Sequence, residues 1–172
     1  MTEEMRDACR KLVITPPRGE RRLSREQFSL RFPSAIKDGR LSNELLRGAI
    51  AELSPDDLQC VLIIGHAFGF SPDHLDALCQ LVGVDWHHSH EDVVSALDKL
   101  RSPQTVEALF EATQWIPKSL EYDGTRALAV KAIWALGRIP GVQAEAKLAL
   151  LARSSNPILR GVAEEQMKRR PM

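Results

Sequence analysis

The chain has 172 residues, 44% hydrophobic and 27% charged, the proportions of one globular domain with a sizeable core. Basic and acidic residues number 23 each, and a net charge of zero removes the simplest case for a nucleic-acid or membrane-surface protein. No apolar run approaches the roughly 18 residues needed to span a bilayer.

The N-terminal stretch MTEEMRDACRKLV is charged throughout and has no apolar signal core. The three cysteines, Cys9, Cys60 and Cys79, are odd in number and form no CxxC, so reduced thiols and a cytoplasmic location are expected. Residues 14–28, ITPPRGERRLSREQF, form a basic, breaker-rich connection. Ser24 is placed to cap a short helix running through Phe28 toward Phe32, where Pro33 interrupts it. Residues 1–40 are therefore expected to be a nonrepetitive basic segment packed on the first helices of the remaining chain.

From residue 41 onward the apolar spacing is helical, with no convincing alternating strand. The first helix is expected at Asn43–Leu53. Ser54-Pro55-Asp56-Asp57 then supplies a cap, a proline at the first helical position and acids in the first turn. Ser71-Pro72-Asp73 repeats that device before HLDALCQLVG, which ends at Gly83. Cys60 and Cys79 fall on apolar helical positions and are expected as small core residues.

The stretch DWHHSHEDVV, Asp85 to Val94, holds three of the five histidines. A zinc protease helix needs H-E-x-x-H, and Val94 stands where the second histidine would be. His87 and His88 are adjacent, so their rings diverge. A helix start explains more: Ser89 and Asp92 have capping-box spacing, with the Ser89 hydroxyl expected to accept from the Asp92 amide. Glu91 and Asp92 would meet the positive end of the dipole, and Val93, Val94, Leu97 and Leu100 would form the buried stripe.

The same helical words recur along the chain. Arg126 aligns with Arg160 at an offset of 34 and with His90 at 36, and second helices lie between: LDALCQLVG, TVEALFEAT and VQAEAKLALLARS. Two helices per unit of this length predict an all-α fold: an α-solenoid of stacked helix pairs over residues 41–172. Ala129-x-x-Ala132-x-x-Ala135-Leu136-Gly137 and Asn156-Pro157-x-x-Arg160-x-x-Ala163 resemble the HEAT-like repeat of small bacterial scaffolding proteins. In that pattern the glycine would end the first helix and permit the turn. The words HAFGF, Trp-His-x-x-His-Glu-Asp and the Tyr122-Asp123 loop are similar to those of small bacterial HEAT-repeat proteins. Some of these are immunity partners of toxins, so the resemblance implies a protein-binding role.

No G-x-S-x-G elbow is present, and no cysteine is followed by a plausible local base. Gly65-His66-Ala67-Phe68-Gly69 lies in an apolar helix and its end, unlike a phosphate cradle. The expectation is a non-enzymatic module with no metal and no cofactor. Charge is segregated: residues 1–40 carry +4, residues 41–100 carry −8, and residues 101–172 carry +4. The arginines Arg18, Arg21, Arg22 and Arg25 and the tail Lys168-Arg169-Arg170 support a rival reading as a HEAT-like nucleic-acid-binding or base-excision protein. That role needs a continuous basic face, and the acidic middle opposes it. A repeat-type lyase or chaperone acting on a partner protein is the third reading.

The favoured partner is a toxin domain with a basic surface. The expected contacts are Glu44, Glu52, Asp56, Asp57, Asp73, Asp76, Asp85, Glu91 and Asp92. Trp115, Tyr122 and Asp123 join them from the long connection QWIPKSLEYDGTR, where the aromatic rings either seal a groove between repeats or anchor a partner. Trp134, mid-helix among alanines, is expected in the core, and Trp86 as a lid on the preceding helix pair.

Overall fold

A computed structural model describes residues 1–13 and 22–170, so Arg18 and Arg21 lie outside the described residues. Helix dominates: the described residues hold ten α-helices and one two-stranded hairpin, which makes the chain all-α. They fall into two compact units, Met1–His74 and Leu75–Met172.

The first unit is organised on α4 (Pro55–Phe68), against which α1 (Glu3–Val13), α3 (Asn43–Ala51) and strand β2 (Arg40–Leu41) pack. Helix α1 was not expected from so charged a stretch. Its buried Ala8, Cys9 and Leu12 share one face at helical spacing, and Glu3, Glu4, Arg10 and Lys11 match the dipole at each end. Cys9 and Cys60 bring their thiols together between α1 and α4. The hydrogen bond that Cys9 donates to Cys60, then burial, pushes the Cys9 thiol up.

Helix α2 (Arg25–Arg31) starts at Ser24 as expected, with Gln27 completing a reciprocal capping box. Strand β1 (Ile36–Lys37) then pairs with β2 across Asp38-Gly39, whose φ angles of 50° and 75° fit the tight turn that matches strand twist. Ser54 caps α4 by accepting from the Asp57 amide at 3.3 Å, with Pro55 in the first turn. Gly69 ends that helix at φ 108°, and Phe70 folds back over Gly65, where any Cβ would collide with its ring. Ser71 does not repeat the device of Ser54. Its hydroxyl lies 3.0 Å from Nδ1 of the buried His74, at the end of a 3-10 turn.

The second unit is built from α5 (Leu75–Val82), α6 (His90–Leu100), α7 (Val106–Gln114), α8 (Ala127–Arg138), α9 (Val142–Leu151) and α10 (Pro157–Arg169). Helices α6, α8 and α10 pack side by side in that order, and α5, α7 and α9 do the same in a second row. Helix α8 is the hub, touching α6, α7, α9 and α10. Its buried Ala129, Ala132 and Ala135 let these neighbours approach closely. Asn156 caps α10, its Oδ1 accepting from the Ile158 amide at 2.9 Å, with Pro157 in the first turn.

Two expectations are corrected in this unit. Gly137 does not end α8, which continues to Arg138. The glycine is needed because α10 comes so close that a Cβ would lie 3.1 Å from the Cβ of Gln166. The turn belongs to Gly141, at φ 102°. Helix α6 does begin at His90, but Ser89 makes no side-chain cap bond. Its own amide donates instead to His87 Nδ1 at 3.1 Å.

Candidate functional site

The acidic residues are placed unequally. In the first unit Glu52 and Asp56 are exposed around the α3–α4 turn, flanking Leu53, which is itself 58% exposed. Glu44 and Asp73 line one shallow groove, together with Lys37 and Arg40. The hydroxyl of Ser42 donates to Glu44 at 2.7 Å and, with the local backbone amide, holds its carboxyl below the usual range.

Asp57 is not a surface residue, contrary to expectation. It is 1% exposed and receives the Met1 ammonium at 2.9 Å and Arg6 Nε at 2.6 Å. Burial pushes its carboxyl up, but the bonds from Arg6 and the amino terminus outweigh that and hold it below the ordinary value. Asp57 fastens α1 to α4 and leaves the set of available contacts.

In the second unit Asp76 and Asp92 are exposed. Asp85 lies 3.9 Å from Lys118, and Glu91 is 3.0 Å from Lys131. The acids of α6 therefore meet bases from the later part of the chain: Glu91 with Lys131, and Asp98 with Arg138. Both pairs join residues forty positions apart, as does Glu107 with Lys147 at 2.7 Å between α7 and α9. Two in-register pairs seven residues apart require α6 and α8 to run parallel. Such partly exposed pairs add little stability. Their effect is to neutralise Glu91 and Asp98, two of the ten acids in residues 41–100.

The aromatic residues are also redistributed. Trp134 is not in the core. It is half-buried on an open groove of about 560 Å³ that Glu91, Ser95, Asp98, Lys131 and Arg138 also line. The guanidinium groups of Arg138 and Arg169 stand over its ring at 5.8 and 4.8 Å. Its position was readable: Ala129, Ala132, Ile133 and Leu136 form the buried stripe of α8, and Lys131, Trp134 and Arg138 fall off it.

In the long connection Tyr122 is 98% exposed, Ile116 is 44% exposed, and Trp115 is half-buried. Asp123 serves the backbone: its carboxylate accepts from the Thr125 amide at 3.0 Å and the Ala127 amide at 2.6 Å, starting α8. Those bonds, with the one from the Thr125 hydroxyl foremost, hold its carboxyl low.

His87 and His90 are both 1% exposed, and their Nε2 atoms sit against the carbonyls of Leu81 (2.9 Å) and Val84 (2.8 Å). His88 stays exposed. Among the described residues no three His, Cys, Asp or Glu side chains gather as metal ligands. Of the basic groups behind the nucleic-acid reading, Arg22 bonds the Leu12 carbonyl, Arg169 pairs with Glu165 and Arg170 bonds carbonyls around the α8–α9 turn, while Arg25 and Lys168 are exposed. No described helix is long and apolar enough to cross a membrane. Comparison with family models, curated proteins and solved structures returns no match.

Proposed function

We propose that the chain is a non-enzymatic protein-binding module of HEAT-like helix pairs, and specifically a cytoplasmic immunity protein that neutralises a bacterial toxin domain. The observation that carries the repeat reading is the set of ion pairs between residues forty apart. One repeating step takes α6 to α8 in one row and α7 to α9 in the other. Stacked helix pairs offer a broad surface whose specificity comes from what projects from it. In the first unit the projecting groups are Glu52, Leu53 and Asp56, an apolar tip between two carboxylates. In the second they are Trp134 with its flanking charges and the exposed Tyr122. Acidic groups facing a basic cleft would speed encounter with the right partner, and a half-buried indole would anchor it.

The deciding experiment is co-expression with each neighbouring gene that encodes a toxin-like domain. Cells should die when that gene is expressed alone and survive when this chain is present. Protection should weaken in the double variant Glu52→Lys, Asp56→Lys and in Trp134→Ala, both at exposed or half-exposed positions that leave the fold intact. Equal killing with and without the chain would refute the immunity reading.

A further inference from the structure

His87 and His90 stack with 4.2 Å between ring centroids and planes 29° apart, each almost wholly out of solvent. Each Nε2 lies at a backbone carbonyl, so each neutral ring carries its proton there. Nδ1 of His87 is occupied by the Ser89 amide. Nδ1 of His90 and the indole Nε1 of Trp115 are both buried without a hydrogen-bond partner, and their two rings meet edge to face at 5.4 Å. Trp86 packs edge to face on His87 at 4.9 Å. Four rings in the order Trp86, His87, His90, Trp115 therefore join the α5–α6 connection to the segment after α7.

We propose that this column is an acid-released clasp, in which protonation of either imidazole separates the stacked rings and frees Trp115 and the connection through Thr125. A cation formed there has no acidic hydrogen-bond partner, and it lies against a second imidazole that cannot also charge. Protonated His90 would present a second buried N–H without an acceptor, in contact with an indole whose own N–H already lacks one. The segment it would free holds little that is buried. Ile116, Lys118, Ser119, Glu121 and Tyr122 are all exposed, and Pro117 is the one fully covered residue among them.

Burial, rather than the surrounding charges, favours the neutral column. Asp85 pulls His90 toward the charged form, but it is shared with Lys118, and His88 acts in the opposite sense. From α6, Glu91 pairs with Lys131 and Asp92 is exposed; from α7, Glu111 is exposed; from the start of α8, Arg126 donates to the Thr113 carbonyl. Burial dominates, carrying His87 down to about 4, with His90 moved the same way.

The test is nuclear magnetic resonance of the full chain between about pH 7.5 and about pH 4. The Trp115 indole resonance is assigned with Trp115→Phe, and exchange of the amides of residues 116–126 is followed by mass spectrometry. The expected result is one shared midpoint below about pH 5.5 for the His87, His90 and Trp115 signals. Protection of that segment, with the pH dependence of intrinsic exchange divided out, should then fall about tenfold, with the Trp134 indole unmoved. The Trp115 shift should vanish in His90→Phe, and the wild-type titration decides the matter even if that variant does not fold. The proposal is overturned if the histidines titrate and the Trp115 indole does not follow. It is equally overturned if Trp134 and the whole chain change together at the same midpoint.

Discussion

Gly137 and Gln166 are in contact across α8 and α10, so close that a methyl group on the glycine would collide with the glutamine carboxamide. A glycine inside a helix costs about 0.5–1 kcal/mol relative to alanine, and here that cost is offset by the close approach it permits. Gly137→Ala is expected to destabilise the chain by about 1–2 kcal/mol despite its better helix propensity. Gln166→Ala removes the carboxamide but leaves a Cβ 3.1 Å from the added methyl. The double variant should therefore recover only part of the loss. Urea unfolding of the four-member cycle measures the coupling, and strict additivity would show that the two helices do not meet here.

Arg170 fastens the other end of the same contact. Its guanidinium donates to the carbonyls of Leu136 at 3.2 Å, Ile139 at 2.8 Å and Gly141 at 3.3 Å, around the turn from α8 to α9. Arg170→Ala is expected to cost about 1–2 kcal/mol. Arg170→Lys should restore less than half, because a single ammonium cannot reach all three oxygens. Thermal melts of the three proteins check both statements.

Asp57 yields a prediction that separates folding from binding. It is a buried carboxylate held by Arg6 and the amino terminus, and Asp57→Ala should cost about 2–4 kcal/mol by leaving that positive charge without its partner. Asp56→Ala, one residue away and exposed, should change stability by less than about 0.5 kcal/mol. Equal losses in denaturant titrations of the two variants would contradict the burial assigned to Asp57.

Acid should weaken the fold in a defined window. His87 is neutral when folded, with its protonation moved down to about 4, against an ordinary value of about 6.5. Between those values the unfolded chain binds more protons than the folded one, so stability rises with pH across the window. The contribution is complete above about pH 6.5 and is lost as pH falls through about 4, a change of about 2–3 kcal/mol. His90 shifts in the same direction. Urea midpoints measured at neutral pH and near pH 4.5 should differ accordingly, and His87→Phe should flatten that difference.

The boundaries most legible in the sequence were those written in local chemistry. Ser24, Ser54 and Asn156 each precede a helix and accept its first free amides, and proline stands in the first turn after the last two. The hairpin was missed because two residues per strand are too few to show alternation, although the Asp38-Gly39 turn was in plain view. Helix α1 was missed because its apolar face is three residues wide among charges and acquires meaning only against α4. Ser71 fails as a cap because its hydroxyl lies against the His74 imidazole, and at Ser89 it is the backbone amide that turns to His87 Nδ1. The acidic middle misled for a different reason. Net charge along a chain ignores partners forty residues distant, and Lys131 and Arg138 cover Glu91 and Asp98.

The chain contains one tyrosine, and its side chain stands almost entirely in water at the tip of the connection between α7 and α8. Reagents that nitrate or iodinate phenols would find a single tyrosine ring to modify, one that packs against nothing. That makes Tyr122 a ready-made reporter: its shielding or continued reactivity in a mixture would record whether this edge of the molecule is covered.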